Sequence, residues 1–158
     1  MTNSTLQKQL IQAGAAFAAL AVIAGAFGSH LIKAKLDNVH YDIYQTAVQY
    51  QFYHAIALFV IGIGIRRIND NVAKTVFALF VIGIILFSGS LYLLSTSLIW
   101  AKERIGWFAI IAPVGGVSFV VGWAYIVVRG FKPSTSSQTA NKVQEMQRRK
   151  PSSTEEKK

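Results

Sequence analysis

The sequence contains no cysteine. This excludes a disulfide-stabilised fold, thiolate zinc sites and thiol redox chemistry. Charged residues are also scarce, at 15% of the chain, against about a quarter in soluble domains. Hydrophobic residues make up 53%, occur in long runs and give a mean hydropathy of +0.40. An ordinary water-soluble globular domain is therefore largely excluded.

Charged residues and catalytic motifs are missing where transporters and enzymes usually carry them. No Asp, Glu, Lys or Arg lies in the middle of the long apolar runs, whereas ion-coupled transporters usually carry such residues inside the membrane. The chain lacks a glycine-rich phosphate loop, Ser-x-x-Lys, His-Glu-x-x-His and paired carboxylates. His30, His40 and His54 do not have the spacing of a metal site. We therefore expect no enzyme, no metal and no cofactor.

Four apolar stretches approach the roughly 20 residues that a helix needs to cross a bilayer. They cover about 10–29, 44–65, 76–97 and 105–128. Backbone groups in hydrocarbon must be hydrogen-bonded within their segment, so each stretch should be a helix. The first stretch is longer than the apolar region of a secretory signal peptide, and we expect it to be retained. The sequence predicts an all-α fold, an integral membrane four-helix bundle within residues 1–130.

The distribution of Lys and Arg predicts the orientation of this bundle. With four spans, the termini and the 66–75 loop share one side, which holds Lys8, Arg66, Arg67, Lys74 and the basic residues from Arg129 onward. The other side holds Lys33, Lys35, Lys102 and Arg104. Because basic residues accumulate on the cytoplasmic side, we expect both termini to be cytoplasmic and the protein to lie in the cell membrane.

Two segments outside the spans differ in character. Residues 30–49 mix apolar and charged residues in a pattern typical of short amphipathic turns, which would cover the outer helix ends. Residues 131–158 are rich in Ser, Thr and charge, which predicts a disordered basic cytoplasmic tail. The tail could contact anionic lipid, although we favour a solvated tail. Because the net charge of +9 is spread along the chain, we expect no nucleic-acid partner.

Unusual polar residues concentrate in the predicted outer halves of the spans. His54 is expected about four residues past the start of the strongly apolar part of the second span, which a polar lead-in from Tyr44 lengthens, and roughly 6 Å below the outer surface. The candidate cluster comprises His30, Gln49, Tyr50, Gln51, His54, Ser88, Ser90, Tyr92 and Pro113. One interpretation is a small polar cavity that opens outward, with His54 as its ionisable member. The other, which we favour, is a set of hydrogen bonds that hold the helices together.

Small residues in the spans predict close helix packing, because they let backbones approach each other in the membrane. Ala21, Gly25 and Ser29 form a row at four-residue spacing, as do Ser118 and Gly122. The predicted packing glycines are Gly25, Gly28, Gly89, Gly115, Gly116 and Gly122.

Four motifs, in this order, resemble a known family of small membrane proteins. They are Gly25-Ala26-Phe27-Gly28-Ser29-His30, Tyr50-Gln51-Phe52-Tyr53-His54-Ala55-Ile56-Ala57-Leu58, Leu86-Phe87-Ser88-Gly89-Ser90-Leu91-Tyr92, and Ala112-Pro113-Val114-Gly115-Gly116 followed by Gly122-Trp123. The family is domain of unknown function 423, which includes the bacterial YgdD and YwdK proteins and the animal transmembrane protein 256. Ser29 and Ala112 depart from the family's Ala and Thr. The resemblance covers about residues 10–130 and implies four helices in the cytoplasmic membrane, without implying an activity.

Three functions remain open from the sequence. The leading one is non-enzymatic binding of a membrane protein partner or a lipid-like molecule, which predicts a groove open to lipid or a flat face of small residues. The second is a transporter or channel for a small neutral or weakly basic solute, with His54 as gate or proton acceptor. The third is a membrane enzyme that uses His54. The expected surroundings are the lipid bilayer, and a homo-oligomer is also open.

Overall fold

The computed structural model describes residues 3–101, 107–130, 142–146 and 148. The main elements are the helices α1 (Asn3–Phe27), α2 (Asn38–Ile63), α3 (Asp70–Gly83), α4 (Gly89–Trp100) and α5 (Phe108–Arg129). A π-helical segment, Gly28–Ile32, and a 3-10 turn, Lys33–Lys35, prolong α1. A second π-helical segment, Ile84–Ser88, joins α3 to α4 without a break. The described residues confirm the all-α class.

Among the described residues, four helices are long and apolar enough to cross a membrane. The first span is Ser4–Lys35, the second Asn38–Ile63, the third Asp70–Trp100 and the fourth Phe108–Arg129. The first three are longer than their apolar runs, and polar residues cap the starts of α2 and α3. The side chain of Asp37 accepts the backbone N–H of His40 at 2.9 Å, and Asn69 accepts that of Asn71 at 3.1 Å, as N-cap residues do.

The structure corrects the predicted outer loop over residues 30–49. The first span continues as helix to Lys35, and α2 begins at Asn38 after the cap at Asp37. The amphipathic turns expected at the interface are therefore parts of the two spanning helices themselves. Of the predicted disordered tail, 131–158, only 142–146 and 148 are described; they are helical and exposed. The rest of the tail lies outside the described residues.

Neighbouring spans run antiparallel and pack in a fixed order. The first span packs along α2, where Gly14 faces the backbone of Phe59 and Gly62 faces Ile11. The third span packs against α2 and against α5, where Gly122 faces Phe80. Within the described residues, α1 and α5 do not pack along each other. The first span therefore has only one full neighbour.

These contacts define two ends of the molecule. Residues 28–37 connect the first two spans at one end, called here the 28–37 end. Residues 64–69 connect the next two at the other, the 64–69 end, where the backbone N–H of Asn69 donates to the carbonyl of Gly130 at 3.0 Å. The buried apolar core lies mainly toward the 64–69 end and includes Leu10, Leu58, Val76 and Phe80.

Candidate functional site

The amide of Gln51 joins three spans. It is buried on α2, where its Nε2 donates to the backbone carbonyl of Phe17 in α1 at 2.9 Å. Its Oε1 accepts the hydroxyl of Tyr92 from α4 at 3.0 Å. Since hydrocarbon offers no partner for polar groups, these bonds hold the three helices in one register.

Tyr44 lies seven residues before Gln51, on the same face of α2. Its hydroxyl donates to the carbonyl of Ala24 at 2.8 Å, and its ring meets the ring of Tyr92 edge to face at 5.2 Å. A Cβ at Gly28 would lie 2.5 Å from Cε1 of Tyr44. Only glycine at position 28 therefore lets the Tyr44 ring occupy this place without displacement.

A groove opens to the side between the first and third spans, and we call it the interspan groove. Its volume is about 570 Å³, within the range of small-molecule sites. It is lined by Phe17, Leu20, Ile23, Ala24 and Phe27 of the first span, Tyr44 and Gln51 of the second, and Ile84, Ile85, Gly89 and Tyr92 of the third. None of these residues carries a charge at neutral pH. The groove exists because the first span packs fully against α2 alone.

The polar groups of the interspan groove can still accept hydrogen bonds. A phenol has one hydrogen to donate and two lone pairs. Tyr44 and Tyr92 both donate their hydrogen within the protein, so each oxygen retains acceptor capacity. A ligand with a hydroxyl or N–H group could use it, whereas a carboxylate or phosphate would find no cation. The chemistry of the groove is that of neutral hydrogen bonding beside apolar walls.

His54 belongs to a separate group of side chains, the aromatic cluster, formed with Tyr50, Phe80, Phe119 and Trp123. Trp123 Nε1 lies 3.2 Å from His54 Nε2, and His54 Nδ1 lies 2.8 Å from the carbonyl oxygen of Tyr50. An indole N–H can only donate, so Nε2 accepts and Nδ1 carries the ring hydrogen. This pattern assigns His54 as a neutral imidazole with both nitrogens engaged.

Aromatic rings enclose the imidazole. Its centroid lies 3.5 Å from that of Phe119 in a stacked arrangement, and Phe80 meets it edge to face at 5.1 Å. His54 lies sixteen residues after Asn38, where α2 begins, which at 1.5 Å per residue is about 24 Å along the helix. It therefore lies past the middle of α2 when counted from Asn38.

The remaining candidates do not gather at one place. The hydroxyl of Ser90 donates to the carbonyl of Phe87 at 3.0 Å. The buried hydroxyl of Ser88 has no hydrogen-bond partner among the described residues. His30, Gln49 and Pro113 are exposed. The structure thus brings together Gln51 and Tyr92 in one site and Tyr50 and His54 in another.

Sequence reasoning did not assign Tyr44 or Trp123 to a site. Tyr44 could have been found from its seven-residue spacing to Gln51, which places both on one helical face. Trp123 was visible in a motif, but its contact with His54 depends on how α2 and α5 are rotated in the bundle. The backbone acceptors at Phe17 and Ala24 carry no sequence signal.

The predicted packing glycines differ in how closely they are approached. An added Cβ would overlap the ring of Tyr44 at Gly28, the backbone of Phe87 at Gly115 and the ring of Phe80 at Gly122. Gly25 and Gly116 show ordinary contacts, and Gly89 has nothing within 4 Å. Gly14, Gly62 and Gly83 are also tight but were not on the predicted list. No group of three potential metal-ligand side chains occurs within the described ranges.

Comparison with known proteins identifies the family to which this chain is related. A family model described as "Protein of unknown function (DUF423)" matches residues 24–116. UPF0382 membrane protein YwdK of Bacillus subtilis (strain 168) is 39% identical over 126 residues, which cover 79% of this chain and 98% of that protein. A UPF0382 membrane protein of Staphylococcus saprophyticus is 41% identical over 125 residues, which cover 79% of this chain and 98% of that protein. No solved structure matches the chain.

These relatives are named as membrane proteins, and this chain has four membrane-length helices among its described residues. It is therefore a multi-pass membrane protein, and the resemblance carried by its motifs is confirmed. The chain belongs to the DUF423 family of proteins of unknown function.

Proposed function

We propose that this protein is a non-enzymatic membrane protein that binds a neutral, hydroxyl-bearing lipid in the interspan groove. The observation that carries the proposal is the groove itself, which opens sideways between apolar walls and has hydrogen-bonding groups at its base. Leu20, Ile23 and Ile85 are each more than half exposed along its walls, as a lipid-facing site requires. An acyl or isoprenoid chain would lie against them.

The chemistry of the lining favours a neutral ligand. The acceptors are the oxygens of Tyr44 and Tyr92, and the described residues that line the groove include no cation or carboxylate. A charged headgroup placed at this depth would lose its hydration without gaining a partner. A hydroxyl can donate to a phenol oxygen at a much smaller desolvation cost.

The bonding of His54 supports binding over transport. Both imidazole nitrogens are engaged, and the ring is enclosed by Phe80 and Phe119. A gate or proton acceptor would need a nitrogen that a permeating solute can reach. The groups bonded to His54 are an indole N–H and a backbone carbonyl, and neither is a nucleophile or acid–base partner, which favours a non-enzymatic role.

We also propose that the protein lies in the cytoplasmic membrane with both termini in the cytoplasm. Arg66, Arg67 and Lys74 are exposed at the 64–69 end, and Lys8 and Arg129 lie at the same end. Lys33 and Lys35 are at the 28–37 end. The positive-inside rule therefore favours a cytoplasmic 64–69 end.

Photolabelling with a diazirine-bearing diacylglycerol in native membranes tests the proposed ligand class. Gly89 lines the groove, and a Cβ there would meet nothing within 4 Å. We expect Gly89→Phe to fill the groove and abolish most of the labelling while leaving the fold intact. Ala109→Phe, at an exposed position on α5, is the matched control and should label like the unmodified protein.

A phosphatidic acid probe with the same chains tests the preference for a neutral headgroup. We expect it to label the groove peptides much less than the diacylglycerol probe does. Equal labelling by both probes, or equal labelling of both variants, would contradict the proposal.

A further inference from the structure

A line of exposed and half-buried residues runs along α2 on the side away from the interspan groove. It comprises Thr46, Gln49, Tyr53, Ile56, Val60 and Ile63, and we call it the α2 seam. Its members alternate three- and four-residue spacing, which is the repeat of a helix-to-helix seam in coiled coils. None of them is buried, and Tyr53 and Ile63 are each 60% exposed.

Gln49 places an amide near the middle of α2 on this seam. It lies eleven residues after Asn38 and fourteen before Ile63, about 16 Å and 21 Å from the ends of α2. Its side chain is exposed and makes no hydrogen bond with any described residue. Lipid chains cannot satisfy an amide, so the free energy of the protein falls when another polar group meets it.

The groove beside Gln49 is shaped to receive side chains from a neighbouring helix. It has a volume of about 290 Å³ and is lined by Ala21, Val22 and Gly25 of α1 together with Val48, Gln49, Phe52 and Tyr53. Small residues on α1 keep it shallow and let another backbone come close.

We infer that a second copy of this chain packs against the α2 seam, forming a symmetric dimer in which the two Gln49 amides pair with each other. An amide carries both a donor and an acceptor, so it is complementary to itself. Copies with the same topology are related by a two-fold axis along the membrane normal, which brings each residue of α2 level with its own counterpart. Asp42, four residues before Thr46, marks the end of the seam, because two carboxylates across the axis would repel.

Disulfide trapping in native membranes tests the dimer against a zero background, since the chain has no cysteine. We expect Thr46→Cys and Tyr53→Cys to give a cross-linked dimer on mild oxidation. Val120→Cys is the matched control, because Val120 is 68% exposed near the middle of α5. It should remain monomeric under the same conditions.

The contribution of the amide is measured in the Tyr53→Cys background. We expect Gln49→Leu to weaken dimerisation by about ten-fold, the effect of losing a membrane hydrogen bond of roughly 1–2 kcal/mol. Gln49→Asn keeps an amide and should restore most of the dimer, which a purely structural defect would not allow.

Four outcomes would overturn the inference. They are equal trapping at Val120 and Tyr53, no trapping at Thr46 and Tyr53, no effect of Gln49→Leu, and a cross-linked product whose mass shows a different protein.

Discussion

At the scale of single residues, the bond between Trp123 and His54 determines what the histidine can do. The indole N–H of Trp123 donates to Nε2, and the N–H at Nδ1 donates to the backbone carbonyl of Tyr50. Protonating the imidazole would place a hydrogen on Nε2 and abolish the Trp123 bond. His54 is therefore held neutral by the same contacts that join α2 to α5.

A double-mutant cycle tests this bond. Trp123→Phe removes the donor and keeps an aromatic ring, while His54→Leu removes the acceptor. We expect each variant to lower the free energy of unfolding in detergent by about 1 kcal/mol. The free energy of unfolding of the double variant should fall by less than the sum of the two single decreases, because the shared bond is lost only once.

Trp107→Phe is the matched control, since Trp107 is 58% exposed and its indole makes no hydrogen bond with the part of the chain that the structure describes. It should change the unfolding free energy little. Strictly additive effects of the His54 and Trp123 variants would contradict the bond.

At the scale of helices, close backbone approach explains why the first two spans pack so extensively. An added Cβ at Gly14 would lie 2.7 Å from the backbone nitrogen of Phe59 and 2.8 Å from the carbonyl oxygen of Ala55. Backbone atoms of a spanning helix cannot rotate aside, so any larger residue separates the helices. The same crossing brings Gly62 against Ile11.

A pair of glycine variants tests this contact. Gly14→Ala should destabilise the protein through overpacking, whereas Gly89→Ala adds a methyl group into open space within a helix and should be neutral or stabilising. We expect the two unfolding free energies to differ by about 2 kcal/mol. Gly25→Ala, where the nearest atom is 3.5 Å away, should behave like Gly89→Ala. Equal stability of the Gly14 and Gly89 variants would rule out a tight crossing.

The helix ends show why sequence patterns give the number of spans more reliably than their limits. The long apolar runs predicted four spans, because a helix that crosses the hydrocarbon of a bilayer must be long and apolar. The polar caps Asp37 and Asn69 start α2 and α3 well before those runs begin. His54, which the sequence placed near the start of the apolar run, consequently lies past the middle of α2.

At the scale of the whole molecule, the arrangement of spans could not be predicted from the sequence. The groove and the aromatic cluster depend on which helices are neighbours and how each is rotated. Gln51 and Tyr92 were recognised as unusual polar residues, but their shared bond joins residues far apart in the chain. The backbone carbonyl of Phe17 accepts its hydrogen bond whatever the side chain at that position is, so no pattern of residue types predicts it.

Cysteine labelling tests the proposed orientation. Lys35 and Arg67 are exposed at opposite ends of the bundle. In intact cells, a membrane-impermeant maleimide should label Lys35→Cys, while Arg67→Cys should require permeabilisation, because the basic end faces the cytoplasm. The chain has no cysteine of its own to label. The reverse pattern would invert the topology.

The sideways opening of the interspan groove also determines how any occupant would arrive. A molecule reaches it by lateral diffusion within one leaflet, without crossing the aqueous phase. Occupancy then depends on the mole fraction of that molecule among the surrounding lipids. Adding detergent lowers the mole fraction of that molecule around the protein. Extraction by itself would therefore empty a groove that had been occupied in the native membrane.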